Sequence, residues 1–392
     1  MKKGQRCYFL IIGMLLISNI GFAQDSLNVK AGKTIGEFPY LEYGLGADRL
    51  GGAKMTFLDT GVVLNVIDSI GAKYQVQLSK YNSAFIPKQF VSFNIPVEHK
   101  EKIHLTSSWH VSGDDKYDYV RLSLPKKLPY RSFQQINPNK IVIDIFGAAS
   151  NTNWITQLKS VKEINDVYYE QIEDDVFRVI IDLKHKQHWG YSVFYQGNSL
   201  VIRVKRQPQK LRVKDLKIAI DAGHGGSATG AVGSTGAQEK EYTLLFAKEL
   251  ERFLQKKGVE TIMTRTEDID VSMTDRLSKL REEDPTILIS LHLNSSSNKN
   301  VKGVSTYYRY PGFRPLTQHI LDRMLDLGLS EFGNVGSFNF SLSGPTDYPN
   351  CLVEIAFLSN EEDEKRIMDP KFQKQTVKQI YKGIRDWLKN VK

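Results

Sequence analysis

The chain has 392 residues, a formal net charge of +9 and two cysteines. A chain of this length is too long for one hydrophobic core, so we expect roughly two or three domains. The modest basic excess suits an anionic surface such as a cell envelope, and ordinary solubility explains it equally well. The lack of a dense basic motif argues against a nucleic-acid partner.

The N-terminus has the pattern of a secretory signal peptide. Basic residues in MKKGQR precede the apolar run YFLIIGMLLISNIGFA, and polar residues follow that run. Because the run is short for a membrane span, we predict cleavage after Ala23 and export to the periplasm or cell envelope; an uncleaved membrane anchor is the alternative. Cleavage removes Cys7 and leaves Cys351 as the only thiol. An intramolecular disulfide is then excluded, and packed cores must supply the stability.

Residues 40–95 contain short β-type runs that turn residues separate. The runs are AKMTFLD, VVLNVIDS, YQVQLS and SAFIPKQFV. Their length and spacing predict a small all-β barrel. The region resembles the Src-homology-type barrels of bacterial wall-associated proteins.

Residues 101–205 form a second strand-rich region. Apolar and polar positions alternate in YDYVRLSL, KIVIDIFGA, VFRVIIDL and SLVIRVKR, which predicts half-buried strands and a second β domain. The runs NKIVIDIFGA, FRVIIDL and GNSLVIRV resemble the AMIN domain, a localisation module found ahead of envelope amidases. We expect residues 24–205 to locate the protein or to act as spacers without performing chemistry. They are candidates to bind envelope or division proteins.

The pattern changes after residues 206–215, which lack apolar periodicity and are predicted to be a linker. In residues 216–392, KIAIDAG, VETIMTR, TILISLHL and CLVEIAFL are typical of strands and alternate with helical runs such as EYTLLFAKELERFLQKKG. This alternation predicts an α/β domain with a mostly parallel open sheet flanked by helices. The predicted fold class is therefore α/β, preceded by two small all-β domains.

Four polar side chains stand in or after predicted strands or at a helix start. His224 follows KIAIDAG, His292 ends TILISLH, Glu354 interrupts CLVEIAFL, and Glu239 opens the helix after a glycine-rich loop. Ligands of open α/β sheets bind beyond the carboxyl ends of the strands, so these side chains are expected to share one crevice. Taken singly, each also has a structural explanation, such as an ion pair or a charge that complements a helix N-terminus.

Two imidazoles and a carboxylate form a ligand set that catalytic zinc uses, with the fourth position left for water. Zn²⁺ lowers the pKa of that water and polarises a carbonyl, and a further carboxylate must then carry a proton to the departing amine. Asp221 is a candidate acceptor for a ligating imidazole, or alternatively a turn-forming residue. Arg265 and Arg276 are expected to organise a loop and a helix through ion pairs.

Six motifs follow one another between about residues 215 and 390: IAIDAGHGG, GAQEKEYTL, TRTEDIDVSMTDRL, ISLHLNSS, GVSTYY and CLVEIAFLSNEEDE. In this order they resemble the zinc-dependent N-acetylmuramoyl-L-alanine amidase family, type 3. The resemblance implies that His224, Glu239 and His292 bind Zn²⁺ and that Glu354 is the catalytic carboxylate. It also implies a peptidoglycan (muropeptide) substrate, cleaved at the amide between the lactyl group of muramic acid and L-alanine of the stem peptide.

Two other functions stay open at this point. A zinc peptidase acting on wall peptides would use the same metal chemistry, although the helical signature of two histidines flanking a glutamate is absent from the sequence. A noncatalytic cell-wall-binding protein would have kept the fold alone. The presence of all four polar side chains argues against that second alternative.

Overall fold

A computed structural model describes residues 29–46, 50–94 and 103–391 of the chain. The predicted signal peptide and its cleavage position at Ala23 lie outside the described residues. Up to Lys205 the described ranges contain strands and no α-helix, and the described residues that follow combine strands with five α-helices. In the part of the chain that the structure describes, no helix is both long and apolar enough to span a membrane.

The first β region is a sheet in the order β3-β2-β6-β5-β4-β1-β7, with antiparallel neighbours throughout. Its strands are β1 (Lys30–Thr34), β2 (Tyr40–Glu42), β3 (Lys54–Phe57), β4 (Val63–Ile70), β5 (Lys73–Gln77), β6 (Ser83–Pro87) and β7 (Val91–Ser92). In β4, Leu64 and Val66 are buried and Asn65 is exposed, as expected of a half-buried strand. The region is all-β, and its closure into a barrel stays a prediction.

The second β region contains three sheets, ordered β14-β9-β10-β18-β17, β11-β12-β16-β15 and β13-β8. Its strands are β8 (His104–Leu105), β9 (Trp109–Gly113), β10 (Tyr117–Ser123), β11 (Tyr130–Gln135), β12 (Lys140–Phe146), β13 (Ala148–Ala149), β14 (Ile155–Gln157), β15 (Ile164–Glu173), β16 (Val176–Leu183), β17 (Tyr191–Gln196) and β18 (Ser199–Lys205). Leu64 and Val76 of the first region belong to the same hydrophobic cluster as Trp109, Ile143 and Ile202 of the second. The two β regions therefore share one core.

The α/β region is built on a six-stranded sheet in the order β20-β19-β21-β24-β22-β23. In chain order its elements are β19 (Lys217–Ala222), α1 (Glu239–Gln255), β20 (Glu260–Met263), α2 (Met273–Glu283), β21 (Ile287–Asn294), β22 (Val304–Tyr307), α3 (Arg314–Leu325), β23 (Glu331–Val335), β24 (Asn350–Phe357), α4 (Glu361–Met368) and α5 (Pro370–Asn390). Strand β21 is parallel to both of its neighbours, β19 and β24. The carboxyl ends of these three strands therefore lie at one edge of the sheet.

The structure adds detail that the sequence pattern did not predict. Helix α4 has the sequence EEDEKRIM, whose many charges obscure any apolar periodicity; it begins after Asn360, whose side chain accepts from the N–H of Asp363. Strand β22 runs antiparallel to β24, which interrupts the parallel order. In the predicted linker, Val213 is buried in the hydrophobic core of the α/β region, so the end of that segment packs against the sheet domain.

Candidate metal centre

His224, Glu239 and His292 come together at the carboxyl edge of the sheet. His224 follows β19, Glu239 is the first residue of α1, and His292 lies in β21. Nε2 of His224 is 3.1 Å from Oε2 of Glu239, and Nδ1 of His292 is 2.9 Å from Oε1 of the same carboxylate. One carboxylate thus joins two imidazoles that neighbouring strands supply.

The glycines around His224 allow this close approach. A Cβ at Gly223 would lie 2.4 Å from Cε1 of His292, and a Cβ at Gly230 would lie 2.4 Å from Oε2 of Glu239. His224 itself has a φ of +59°, a left-handed conformation that is uncommon for residues other than glycine. A side chain at either glycine would therefore push the three polar groups apart.

Two backbone N–H groups fix the direction of the Glu239 carboxylate. Ala231 donates to Oε2 at 2.8 Å, and Leu293 donates to Oε1 at 3.0 Å. Glu239 is only 4% exposed. Each of its oxygens is therefore shared between a backbone donor and an imidazole, which holds both imidazoles in place.

The three side chains shift one another's proton affinities. Burial by itself would raise the pKa of Glu239, but hydrogen bonds and charge from His224 and His292 outweigh burial and hold that pKa below its ordinary value. Burial by itself would lower the pKa of His292, but the hydrogen bond and charge of Glu239, with the charges of Glu354 and Asp221, raise it. The surroundings therefore favour positive charge at this position, whether a proton or a metal cation carries it.

The cluster fits a divalent metal with nitrogen and oxygen ligands. Its potential ligand atoms all lie within 4.8 Å of one another. Tetrahedral Zn²⁺ with bonds of about 2.0–2.1 Å places neighbouring ligand atoms about 3.3 Å apart, close to the two contacts measured above. Nε2 of His292 is buried and has no hydrogen-bond partner among the described residues.

Two arginines hold the backbone that carries His224. Arg276 donates from Nη2 to the carbonyl of His224 at 2.6 Å and from Nη1 to that of Ala222 at 2.8 Å. Arg265 donates from Nη2 to the carbonyl of Gly223 at 2.8 Å. The sequence predicted ion pairs for these arginines. The structure adds hydrogen bonds from both arginines to three consecutive carbonyl groups, those of residues 222–224, at the end of β19.

Asp221 lies beneath this loop, and its carboxylate accepts hydrogen bonds from three other side chains. It accepts from Arg276 at 2.5 Å, from Thr264 at 2.7 Å and from Ser290 at 2.6 Å. Burial by itself would raise the pKa of Asp221, but the charge of Arg276 leads the effects that lower it. The hydrogen bonds of Asp221 thus go to Arg276, Thr264 and Ser290, and its role as the acceptor for a ligating imidazole stays a prediction.

Glu354 lies beside the cluster on the next strand. In β24 it is the register partner of His292 in β21 and of Ser305 in β22. Its charge is one of the effects that raise the pKa of His292. The structure thus brings all four predicted residues to one edge of the sheet. Three of them form the cluster, and Glu354 flanks it.

Sequence reasoning missed two residues that support this site. Glu364 in α4 accepts from the N–H of Thr235 at 3.0 Å and from its hydroxyl at 2.7 Å, which ties down the loop before Glu239. The ring of Phe340 packs against the imidazole of His292. The acidic run after CLVEIAFL is a possible sequence signal for the first contact, whereas Phe340 lies in an irregular segment without periodicity.

Comparison with known proteins gives matches to two domain families. Residues 218–386 match the family described as N-acetylmuramoyl-L-alanine amidase, and residues 110–204 match the AMIN domain. The probable cell wall amidase LytH of Staphylococcus epidermidis is 34% identical over 178 residues, which cover 45% of this chain and 59% of that protein. The protein of the same name from Staphylococcus saprophyticus is 32% identical over 190 residues, 48% of this chain and 63% of that protein.

The chain thus spans about three fifths of the length of these curated relatives. Among solved structures, the N-acetylmuramoyl-L-alanine amidase AmiC2 of Nostoc punctiforme is 29% identical, covers 45% of this chain and 99% of its own, and has a TM-score of 0.43. The amidase from Clostridium difficile 630 is 29% identical, covers 44% and 96%, and has a TM-score of 0.43. By these sequence matches, residues 218–386 are similar to the N-acetylmuramoyl-L-alanine amidase family, and residues 110–204 are similar to the AMIN domain family.

Proposed function

We propose that the protein is a zinc-dependent N-acetylmuramoyl-L-alanine amidase that hydrolyses peptidoglycan. The observation that carries the proposal is the cluster of His224, Glu239 and His292, whose ligand atoms lie within 4.8 Å, with Glu354 on the adjacent strand. The family match of residues 218–386 supports the choice of substrate. The bond cleaved is the amide between the lactyl group of muramic acid and L-alanine of the stem peptide.

Hydrolysis adds water across this amide, so that the lactyl group becomes a carboxylate and L-alanine leaves with a free amine. When bound, Zn²⁺ supplies a Lewis acid that polarises the scissile carbonyl. Glu239 orients the imidazoles of His224 and His292, which together with it would hold the metal. Glu354 takes a proton from the attacking water and delivers it to the departing amine.

We further propose a division into a β barrel at residues 40–95, an AMIN domain at 101–205, a linker at 206–215 and a catalytic domain with a mostly parallel open sheet at 216–392. The AMIN match and the relatives named cell wall amidases support an exported, envelope-associated protein. Cleavage after Ala23 belongs to this proposal. The β regions are then candidates to bind envelope or division proteins.

Mass spectrometry of purified peptidoglycan after incubation with the mature chain and Zn²⁺ tests this function. Free stem peptides that begin with L-alanine are the expected product. Shortened stems still attached to glycan would indicate a peptidase instead, and unchanged polymer would indicate a binding protein. Glu354→Gln is the matched control, because it removes the proton carrier and keeps the shape of the side chain.

A further inference from the structure

An aromatic segment lies against the metal centre. The ring centroid of Phe340 is 5.4 Å from that of the His292 imidazole, with an interplanar angle of 83°. Phe340 stacks on Phe338 at 6.1 Å, and Phe338 contacts Tyr307 at 4.5 Å. We call Tyr307, Phe338 and Phe340 the aromatic wall. An edge-to-face contact has a preferred geometry, so the wall limits the orientations that the His292 imidazole can adopt.

The first β region holds this segment through Asn339. Oδ1 of Asn339 accepts from the backbone N–H of Lys54 at 3.1 Å and from Nη1 of Arg309 at 3.0 Å. Its Nδ2 donates to the carbonyl oxygens of Gly52 at 2.9 Å and Leu50 at 3.3 Å. The amide thereby uses both donor hydrogens and both acceptor lone pairs. Three of these four partners are backbone groups before or at the start of β3.

Apolar contacts reinforce the same junction. Phe38 and Phe57 of the first β region pack with Phe340 against a hydrophobic cluster that includes Leu342. Cε2 of Phe57 is 3.0 Å from the position that a Cβ at Gly344 would occupy. The segment of residues 338–344 therefore contacts the first β region on one side and His292 on the other.

We propose that Asn339 is a positioning residue through which the first β region holds Phe340 against His292. This inference rests on the proposed zinc site. Asn339 and Phe340 are consecutive, and their side chains contact different partners: Asn339 binds the backbone at Gly52 and Lys54, whereas Phe340 packs on the His292 imidazole. Because the two residues are consecutive, we expect the release of Asn339 from the β region to displace Phe340. In this proposal the first β region supports the metal centre, in addition to the locating or spacer role that the sequence predicts for it.

The test compares Asn339→Ala, Phe340→Ala and the double variant in the mature full-length chain. Asn153→Ala is the matched control, because Asn153 is an exposed asparagine in the second β region. The affinity for Zn²⁺ is measured by competition with a chelator. Heteronuclear NMR of the histidine side chains in metal-free protein reports the environment of the His292 ring, with His292→Ala used for assignment.

Mutation of the outer-shell partners of metal ligands typically lowers metal affinity by about 10- to 100-fold. We expect Phe340→Ala to weaken Zn²⁺ binding by about tenfold, and Asn339→Ala to weaken it by about three- to tenfold. If Asn339 acts through Phe340, the double variant is no weaker than Phe340→Ala within about twofold, because the two effects are not additive. The His292 NMR signals should shift in both single variants and stay unchanged in Asn153→Ala.

Two results would overturn the proposal. The first is an Asn339→Ala protein with wild-type Zn²⁺ affinity and wild-type His292 signals. The second is a double variant whose loss equals the product of the two single losses, which would make the residues independent. If Asn339→Ala does not fold, Asn339→Asp replaces it, because the carboxylate keeps the acceptor for Lys54 and loses the donors to Leu50 and Gly52.

These measurements need no substrate. A wild-type chain that binds Zn²⁺ and cleaves no peptidoglycan would refute the proposed amidase function and leave the positioning role of Asn339 standing on its own results. A chain that binds no Zn²⁺ would refute the zinc site. The His292 NMR signals of the metal-free variants would then decide the positioning role alone.

Discussion

Replacing Arg276 with methionine should destabilise the α/β region and weaken its metal centre together. The guanidinium is 2% exposed and binds the Asp221 carboxylate, which is 1% exposed, as well as the carbonyl oxygens of Ala222 and His224. Methionine has a similar length and no charge. The variant leaves a buried carboxylate without its cation, although Thr264 and Ser290 still donate to it.

Removing one partner of a buried ion pair costs about 3–5 kcal/mol of unfolding free energy, and we expect a loss in that range for Arg276→Met. The His224 carbonyl also loses its donor at 2.6 Å, in a residue whose φ of +59° needs support from its surroundings. We therefore expect Zn²⁺ affinity to fall by about 10- to 100-fold. The double variant Asp221→Asn/Arg276→Met removes both charges and should recover at least about half of the lost stability.

Urea denaturation of metal-free protein gives the stability change, and chelator competition gives the change in Zn²⁺ affinity. Arg252→Met is the control, because Arg252 pairs with Glu249 on the surface with 52% of its side chain exposed; its loss should be below about 1 kcal/mol. A loss below about 1 kcal/mol for Arg276→Met would refute the reasoning. So would an unchanged Zn²⁺ affinity in a variant that is clearly destabilised.

Three further predictions follow from the site and the core. Glu354→Gln should keep Zn²⁺ and lose about 10²- to 10⁴-fold in turnover, which corresponds to about 3–5 kcal/mol of activation barrier, because it removes the proton carrier. Loss of Zn²⁺ would instead make Glu354 a ligand. Turnover within about threefold of the wild type would exclude Glu354 as the proton carrier. His292→Ala should lose metal and activity together, and full metal content by elemental analysis would contradict its assignment as a ligand. Burial lowers the pKa of His188 to about 4, with a hydrogen bond to the Gln135 carbonyl acting against it. The unfolded chain binds this proton near pH 6.5, so the contribution of His188 to the unfolding free energy is fully present above about pH 6.5 and falls by about 3 kcal/mol as the pH drops towards 4. Urea denaturation should show a smaller loss of unfolding free energy over this pH range in His188→Gln. Equal losses in both proteins would contradict the prediction.

The sequence by itself determined the all-β and α/β character of the chain, because both depend on local periodicity. The apolar runs KIAIDAG and TILISLHL predicted two strands, which the structure contains as Lys217–Ala222 and Ile287–Asn294. Parallel neighbours bring their carboxyl ends together, so polar residues at those ends had to meet at one edge. His224 and His292 are therefore predicted from the sequence alone to share one site.

Only the tertiary structure decided how the parts of the site support one another. Arg276 reaches the carbonyl of His224 from 52 residues away in sequence, and Asn339 binds Lys54 across 285 residues. Contacts of this kind depend on the relative placement of whole elements, and neither helical nor strand periodicity records them. The same holds for the core that the two β regions share. Each region has its own local strand pattern, but which faces meet depends on the packing of sheets that are far apart in the chain.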